Sequence, residues 1–392
     1  MLLSICIPTF NRKSQVESLI LHLKKQIIKY NLYRDCEIVV CENSDKEKQL
    51  VDSNFKKKHK RNVRFLKPNI PGSFQSNLNN LINSSKGKFT WFLGDDDYIF
   101  DNALDVIINS IKKNKIDSSY ITFRCSGKPG LQRSKNNDIY FSKLPKSKNS
   151  NKKDYKNLIT MNGDIFLKDY WLSVIFLSLC IFKTKEFRSF IKKKSVKKYS
   201  SPGYHHASYL IPFINTKSVT VLLDILIEDS YNFKFYEPEG QFKAWITSWI
   251  NFTFYLDKIF KINDSVIFEM RKISILQIIS MYKYSLLFHL SFKKSKVIEN
   301  IYMSYFQKSK IKFYPEYLLL KLSYYSIRLI NFSKIISLLI TRVAKIIDKD
   351  YFSRRNILKF KRNFSLIKSK KATISDYAKK WTTNKNYSNN FF

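Results

Sequence analysis

Short apolar runs alternate with helix-spaced apolar stripes through the first 125 residues, and this pattern limits the fold more than any other feature. "LLSICIP" (2–8) is a continuous apolar run, as a strand covered on both faces requires. Val16, Leu19, Ile20, Leu23, Ile27 and Ile28 then recur at the spacing of one helix face. "CEIVVCE" (36–42), "VRFLK" (63–67), "FTWFL" (89–93) and "SSYITFR" (118–124) read as further strands. Asp45 to His59 reads as a helix, Phe74 to Ile82 as a helical stripe, and a helix capped by Asp101 carries Leu104, Ile107, Ile108 and Ile111. Such alternation predicts an α/β fold with a mainly parallel sheet flanked by helices. Only 8 Gly and 9 Pro occur, which argues against a loop-rich all-β fold.

Ligands of such sheets bind beyond the carboxyl ends of the strands. Those ends carry Pro8-Thr9-Phe10-Asn11-Arg12, Glu42-Asn43-Ser44-Asp45, Lys67-Pro68-Asn69 and Gly94-Asp95-Asp96-Asp97, all expected on one rim. The aspartate triplet needs a reason, because the chain has 31 Asp+Glu against 70 Lys+Arg, a formal net charge of +39. Adjacent unpaired carboxylates repel, and a hard cation such as Mg²⁺ or Mn²⁺ relieves them while gripping a diphosphate. A solvated turn is the alternative. Glu42, at a strand end, suits a base N–H or ribose hydroxyls; Arg12, Asn69 and Asn77 suit phosphates or the nucleoside.

"SICIPTFNR", "IVVCENS" and "NIPGSFQSNLNNLINSSKGKFTWFLGDDD" together resemble the GT-A glycosyltransferases grouped as family 2, over roughly residues 1–125. Within it the chain is most similar to bacterial enzymes of surface polysaccharide assembly, the abequosyltransferase-like members included. The resemblance implies a GT-A (Rossmann-like) domain and transfer of a sugar from a nucleotide-diphosphate donor to a glycan or lipid-diphosphate-linked acceptor. Mn²⁺ or Mg²⁺ would serve as cofactor, and stereochemical inversion is the usual outcome. Pro8, Thr9, Asn11, Arg12, Glu42 and Asn43 would cradle the nucleoside, Asn69 and Asn77 would lie near the donor, and Asp95, Asp96 and Asp97 would hold metal and sugar diphosphate. The chain departs from the pattern in two places. Glu42-Asn43 stands where many members have Asp-Asp or Asp-Asn, and Gly94 where many have a first acid, so which aspartates touch metal stays open. "YHHASYL" (204–210) resembles the subgroup's Tyr-x-His-x-x-Tyr-Leu pattern, making His206 the expected base, with Asp229 of "LIEDSY" second.

The expected domains are a catalytic domain (1–238), a basic, aromatic helical region (239–350) and a basic polar tail (351–392). No uncharged run reaches the ~18 residues of a spanning helix, and the first strand lacks the features of a signal peptide. The charge therefore suggests peripheral attachment to the anionic inner face of the cell membrane from the cytoplasm. The five cysteines form no CxxC pair and read as core residues of a reducing compartment. A basic nucleic-acid-binding protein is the rival reading, but no helix-turn-helix, RNP-type or zinc motif supports it. A nucleotidyltransferase would want a glycine-rich loop where "PTFNRKSQ" has none.

Overall fold

The computed structural model describes residues 1–43, 51–68, 70, 73–127, 141, 144, 157–193 and 205–229, and the single positions Leu256, Phe260, Ile262, Asp264, Val266, Ile267 and Met270. The chain divides into two compact units, Met1–Met270 and Arg271–Phe392, and every described residue belongs to the first. The domain limits expected at 238 and 350 fall outside the described residues.

The sheet begins with β1 (Leu3–Thr9), β2 (Cys36–Glu42), β3 (Val63–Leu66) and β4 (Phe89–Phe92). They lie parallel in the order β3-β2-β1-β4, with β3 at the edge. Every residue of β1 and β4 is buried, as their unbroken apolar pattern requires of strands covered on both faces. Between them run α1 (Lys13–Lys29), α2 (Ser53–His59) and α3 (Phe74–Ser84). In α1 the stripe Val16, Leu19, Ile20, Leu23 and Ile27 is buried. Of the helix expected over Asp45 to His59, residues 45–50 lie outside the described residues; α2 starts at Ser53, where the Asp52 carboxylate caps it by accepting from the Asn54 (2.6 Å) and Phe55 (3.4 Å) amides.

After β4 come the two-residue β5 (Tyr98–Ile99), α4 (Ala103–Lys113) and β6 (Tyr120–Gly127). Asn102, not Asp101, precedes α4, and neither side chain closes a cap. The second half of the sheet is mixed. β7 (Leu158–Asn162), α5 (Gly163–Ile175), a 3-10 turn (Leu177–Leu179), β8 (Ile181–Lys183), α6 (Thr184–Ile191), α7 (His205–Asn215) and β9 (Ser218–Asp229) complete it. β8 enters antiparallel between β4 and β6, so these two are not neighbours. β9 runs parallel to β6 and antiparallel to β5 and β7. Gly163 makes the α5–α7 junction possible: a Cβ there would lie 1.7 Å from the Ile214 carbonyl oxygen.

The five cysteines are free and buried, and burial pushes the Cys6, Cys36, Cys41 and Cys180 thiols up to about 12. They act as core residues. Among the described residues no helix is long and apolar enough to cross a membrane.

At the amino ends of the parallel strands, buried Glu37 ties three elements together. It accepts from Ser4 Oγ (2.6 Å), the Lys86 amide (2.7 Å) and Arg64 Nε (2.9 Å). Removing one partner of such a pair typically costs 3–5 kcal/mol, and Arg64 is 32% exposed, which favours the lower figure. Glu37→Ala is therefore expected to lose about 3 kcal/mol of unfolding free energy in urea titrations. Ligand binding at the opposite end of the sheet should stay unchanged.

Candidate active site at the carboxyl ends of the strands

β1 and β4 are neighbours, so the residues that follow them meet. Thr9 ends β1 and is buried, and its Oγ1 donates to Asp95 Oδ2 at 2.6 Å. Asn11 takes a left-handed backbone (φ 54°), which turns the chain sharply into α1. Arg12 follows, and its Nη1 lies 2.6 Å from Asp95 Oδ1 and 3.1 Å from Asp96 Oδ2. Asp95 is 5% exposed. Burial raises its carboxyl above the usual range, opposed by the Arg12 charge and the Thr9 and Arg12 hydrogen bonds, while the Asp96 charge adds to the rise.

Asp97 turns the other way. It accepts from Ser178 Oγ, which itself accepts from the Gly94 amide at 2.7 Å. Ser178 reaches this corner because β8 runs antiparallel beside β4 and starts near that strand's carboxyl end. Its carbonyl also accepts from Trp91 Nε1 at 2.8 Å. Nothing in the apolar run "WLSVIFLSLCIF" singles this serine out. The structure also explains Gly94. A Cβ there would stand 2.7 Å from Asp97 Oδ2, 3.2 Å from Ser178 Oγ and 3.4 Å from Asp96 Oδ1.

Among the described residues no three His, Cys, Asp or Glu side chains converge as a ready metal cage. The oxygens of Asp96 and Asp97 nevertheless flank one bare Cα. Magnesium and manganese take one or two protein carboxylates and complete their shell with substrate phosphates, so by their chemistry these two residues fit such an ion.

Glu42 pairs in register with Thr9, and its carboxylate accepts from the Val51 amide (3.0 Å) and Lys56 Nζ (2.6 Å). It is thus bound to the start of α2 and is not a solvated strand-end acid. Pro8 and Asn43 are buried beside it, the Asn43 amide donating to the Thr9 carbonyl at 3.0 Å. Asn77, buried in α3, sends Nδ2 to the same carbonyl at 3.5 Å, and its Oδ1 has no hydrogen-bond partner among the described residues. Asn69 lies outside the described residues.

His206 lies in the first turn of α7, which packs on α3 through Gln75 Nε2 donating to the Tyr209 hydroxyl at 2.7 Å. Its Nε2 lies 2.9 Å from the Ile175 carbonyl. A carbonyl only accepts, so Nε2 carries the proton and Nδ1 keeps a lone pair with no partner among the described residues. Burial lowers His205 and His206 to about 4. The backbone of Asp229 ends β9, one position beyond the antiparallel pair Tyr98–Glu228 and paired with Gly127 of β6; its side chain lies outside the described set.

Residues 4–176 match the model of the family described as Glycosyl transferase family 2. A Campylobacter jejuni protein named GalNAc(5)-diNAcBac-PP-undecaprenol beta-1,3-glucosyltransferase is 33% identical over 107 residues, 27% of this chain and 33% of that protein. The match therefore spans only a third of that relative's length. The S. aureus TarS crystal structure superposes with a TM-score of 0.53 at 14% identity, covering 88% of this chain and 55% of TarS. TarS 1–349 in complex with UDP-GlcNAc gives 0.51 at 13% identity, over 88% of this chain and 90% of that one. These likenesses show a common α/β fold.

The imidazoles give a test. Unfolded histidines take up protons from about pH 6.5 downward, whereas these stay neutral to about 4 when folded. Stability is thus fully present above pH 6.5 and falls through that window. Urea unfolding at pH 7 and 4.5 should show a larger loss for the wild-type protein than for His205→Gln/His206→Gln.

Proposed function

We propose, from the premise that residues 4–176 are a Glycosyl transferase family 2 domain, that this protein moves a sugar from a nucleotide-diphosphate donor to an acceptor hydroxyl. The observation that carries the reading is Asp95, buried at the end of β4 and held by Thr9 and Arg12 within that segment. The acceptor hydroxyl forms a bond to the anomeric carbon, the bond from that carbon to the diphosphate breaks, and the hydroxyl proton passes to a base.

Each residue then has a task. Thr9 and Arg12 fix Asp95 so that its carboxylate cannot swing, a preorganisation that needs no rearrangement as charge develops. Asp96 and Asp97 are the residues that would hold Mg²⁺ or Mn²⁺, with Asp95 behind them. A bound divalent ion supplies neutralisation of the departing diphosphate. Pro8, Thr9, Asn11, Glu42 and Asn43 line the nucleoside side, with Asn69 and Asn77 toward the donor. The open Asn77 Oδ1 is an acceptor for a donor hydroxyl or base N–H. His206 is the base: Ile175 fixes its tautomer, and Nδ1 is unprotonated at neutral pH. Asp229 stands second.

The finer reading is inverting transfer to a lipid-diphosphate-linked glycan in bacterial surface polysaccharide synthesis, with abequosyltransferase-like members as nearest models. The name of the C. jejuni relative, which carries a PP-undecaprenol glycan, supports that acceptor class. The net charge of +39 supports a cytoplasmic enzyme peripheral on an anionic membrane.

A thermal-shift panel of UDP, GDP and CDP with and without Mn²⁺ tests this. One nucleotide should stabilise the protein only with metal, by about 2.7 kcal/mol at a hundred times its Kd. Asp96→Asn and Asp97→Asn should each abolish the metal-dependent part. Indifference to every nucleotide, or tighter binding to nucleic acid, would overturn the reading. Near-normal turnover in both His206→Gln and His206→Ala would move the base to Asp229.

A further inference from the structure

Ser178 belongs to the 3-10 turn between α5 and β8, yet its hydroxyl works at the aspartate rim beyond β4. Strand register puts it there. β8 pairs antiparallel with β4, Ile181 opposite Trp91, and the Phe92 amide continues the pairing by donating to the Cys180 carbonyl at 3.0 Å. The same register carried past the strand ends sets Ser178 opposite Gly94. The serine is fully buried, and its carbonyl is pinned by the indole Nε1 of buried Trp91 at 2.8 Å.

The direction of its hydroxyl proton is settled by its neighbours. A hydroxyl has one proton and two lone pairs. The Gly94 amide can only donate, so its 2.7 Å bond takes a lone pair of Ser178 Oγ. The proton is left for Asp97 Oδ2, an acceptor. The Asp97 amide donates in turn to the Gly94 carbonyl at 3.4 Å, so Gly94, Ser178 and Asp97 close a ring of hydrogen bonds. A bond to an ionised carboxylate is roughly twice as strong as one between neutral groups, and it fixes the carboxylate that accepts it.

A serine present only for cohesion would satisfy the Gly94 amide and no more. Gly94 itself speaks against that. Its backbone is not left-handed, so conformation does not call for glycine. What its bare Cα provides is room: the three atoms nearest a Cβ there are Asp97 Oδ2, Ser178 Oγ and Asp96 Oδ1, all side-chain oxygens. The rim acids are thus held from two directions. Thr9 and Arg12 fix Asp95 from the parallel half of the sheet, and Ser178 fixes Asp97 from the mixed half.

We propose that Ser178 is a positioning residue, whose hydroxyl holds the Asp97 carboxylate in place for the Mg²⁺ or Mn²⁺ that Asp96 and Asp97 take with the donor diphosphate. This deepens, and rests on, the reading of a metal-assisted glycosyl transfer. Ser178 acts through Asp97 and touches neither ion nor sugar. A carboxylate already held has less freedom to lose when the ion arrives, and partners of this kind set metal affinity by about ten-fold or more.

The test is the Mn²⁺ concentration at the midpoint of the nucleotide-dependent thermal shift, measured on the full chain with whichever of UDP, GDP and CDP stabilises the wild-type protein. Ser178→Ala keeps the carbonyl that Trp91 uses and removes only the hydroxyl. It should raise the midpoint about ten-fold. Gly94→Ala should raise it as well, because a Cβ 2.7 Å from Asp97 Oδ2 forces that carboxylate to move. Ser173→Ala removes an equally buried hydroxyl, one that donates to the Tyr170 carbonyl at 2.7 Å, and should leave the midpoint unchanged. Urea unfolding without metal reports folding separately. Should Ser178→Ala fail to fold, Gly94→Ala decides the matter alone. Loss of stability in urea with the wild-type Mn²⁺ midpoint intact would overturn the proposal, since a merely cohesive serine behaves so. An equal rise in Ser173→Ala would do the same. A wild-type protein that answers to no nucleotide, or answers without Mn²⁺, would sink the metal-assisted reading and this proposal with it; a normal wild-type response with unshifted variants would sink the proposal alone.

Discussion

A carboxylate taken out of water at the end of a central strand is expensive unless its charge is met, and Asp95 is met twice. Thr9 donates from the neighbouring strand, and Arg12 from the loop that leaves it. The parallel pairing of β1 and β4 sets these distances, so the register of the core and the geometry of the rim are one fact. Burial still outweighs its partners and keeps the Asp95 carboxyl above its usual range. A buried carboxyl shifted by its surroundings is a pattern that functional sites commonly show.

The rest of the rim follows from what surrounds that acid. Gly94 must be bare because the Asp97 carboxylate and the Ser178 hydroxyl fill the space a side chain would take. Ser178 is there because β8 turns back antiparallel against β4. The mixed half of the sheet thus supplies the wall against which the parallel half presents its acids. At the other end of the same strands, Glu37 binds Ser4, Arg64 and the Lys86 amide, an arrangement concerned with cohesion. The two ends of β1 thus differ, with a cohesive ion pair at one and a cluster of acids at the other.

The parallel half was legible in the sequence because each strand is an unbroken apolar run and each helix carries its stripe at regular spacing. The aspartates and Thr9 stood out for the same reason: polar residues placed directly after such runs. β8 was not legible. Three residues, Ile181–Lys183, follow a helix and a 3-10 turn of equal apolarity, and periodicity cannot separate them. Ser178 went with it, since its role exists only once β8 lies beside β4. The sequence points Arg12 toward phosphates or the nucleoside, and in the structure its guanidinium lies against Asp95 and Asp96. Lys56 on Glu42 was missed because a helix inside "KEKQLVDSNFKKKHK" (46–60) has many lysines of equal claim, and only the Asp52 cap selects the register.

Scarcity makes the acids informative. With 31 against 70 basic residues, a carboxylate spent on solvent alone is one fewer to satisfy a buried cation, and within the described unit most are engaged. Asp35 holds Lys112, Asp117 holds Lys88 and Lys183, and Glu186 holds Lys183 and Lys217. Asp52 caps α2, and Asp105 accepts from Asn109. The cations left over cannot be neutralised from within, whatever the packing. Lys57, Lys58, Lys60, Arg61 and Lys67 are among them, exposed and, among the described residues, paired with no carboxylate. The same imbalance of charge that says nothing about the fold therefore makes the placing of the acids informative, and at the rim three of them stand together.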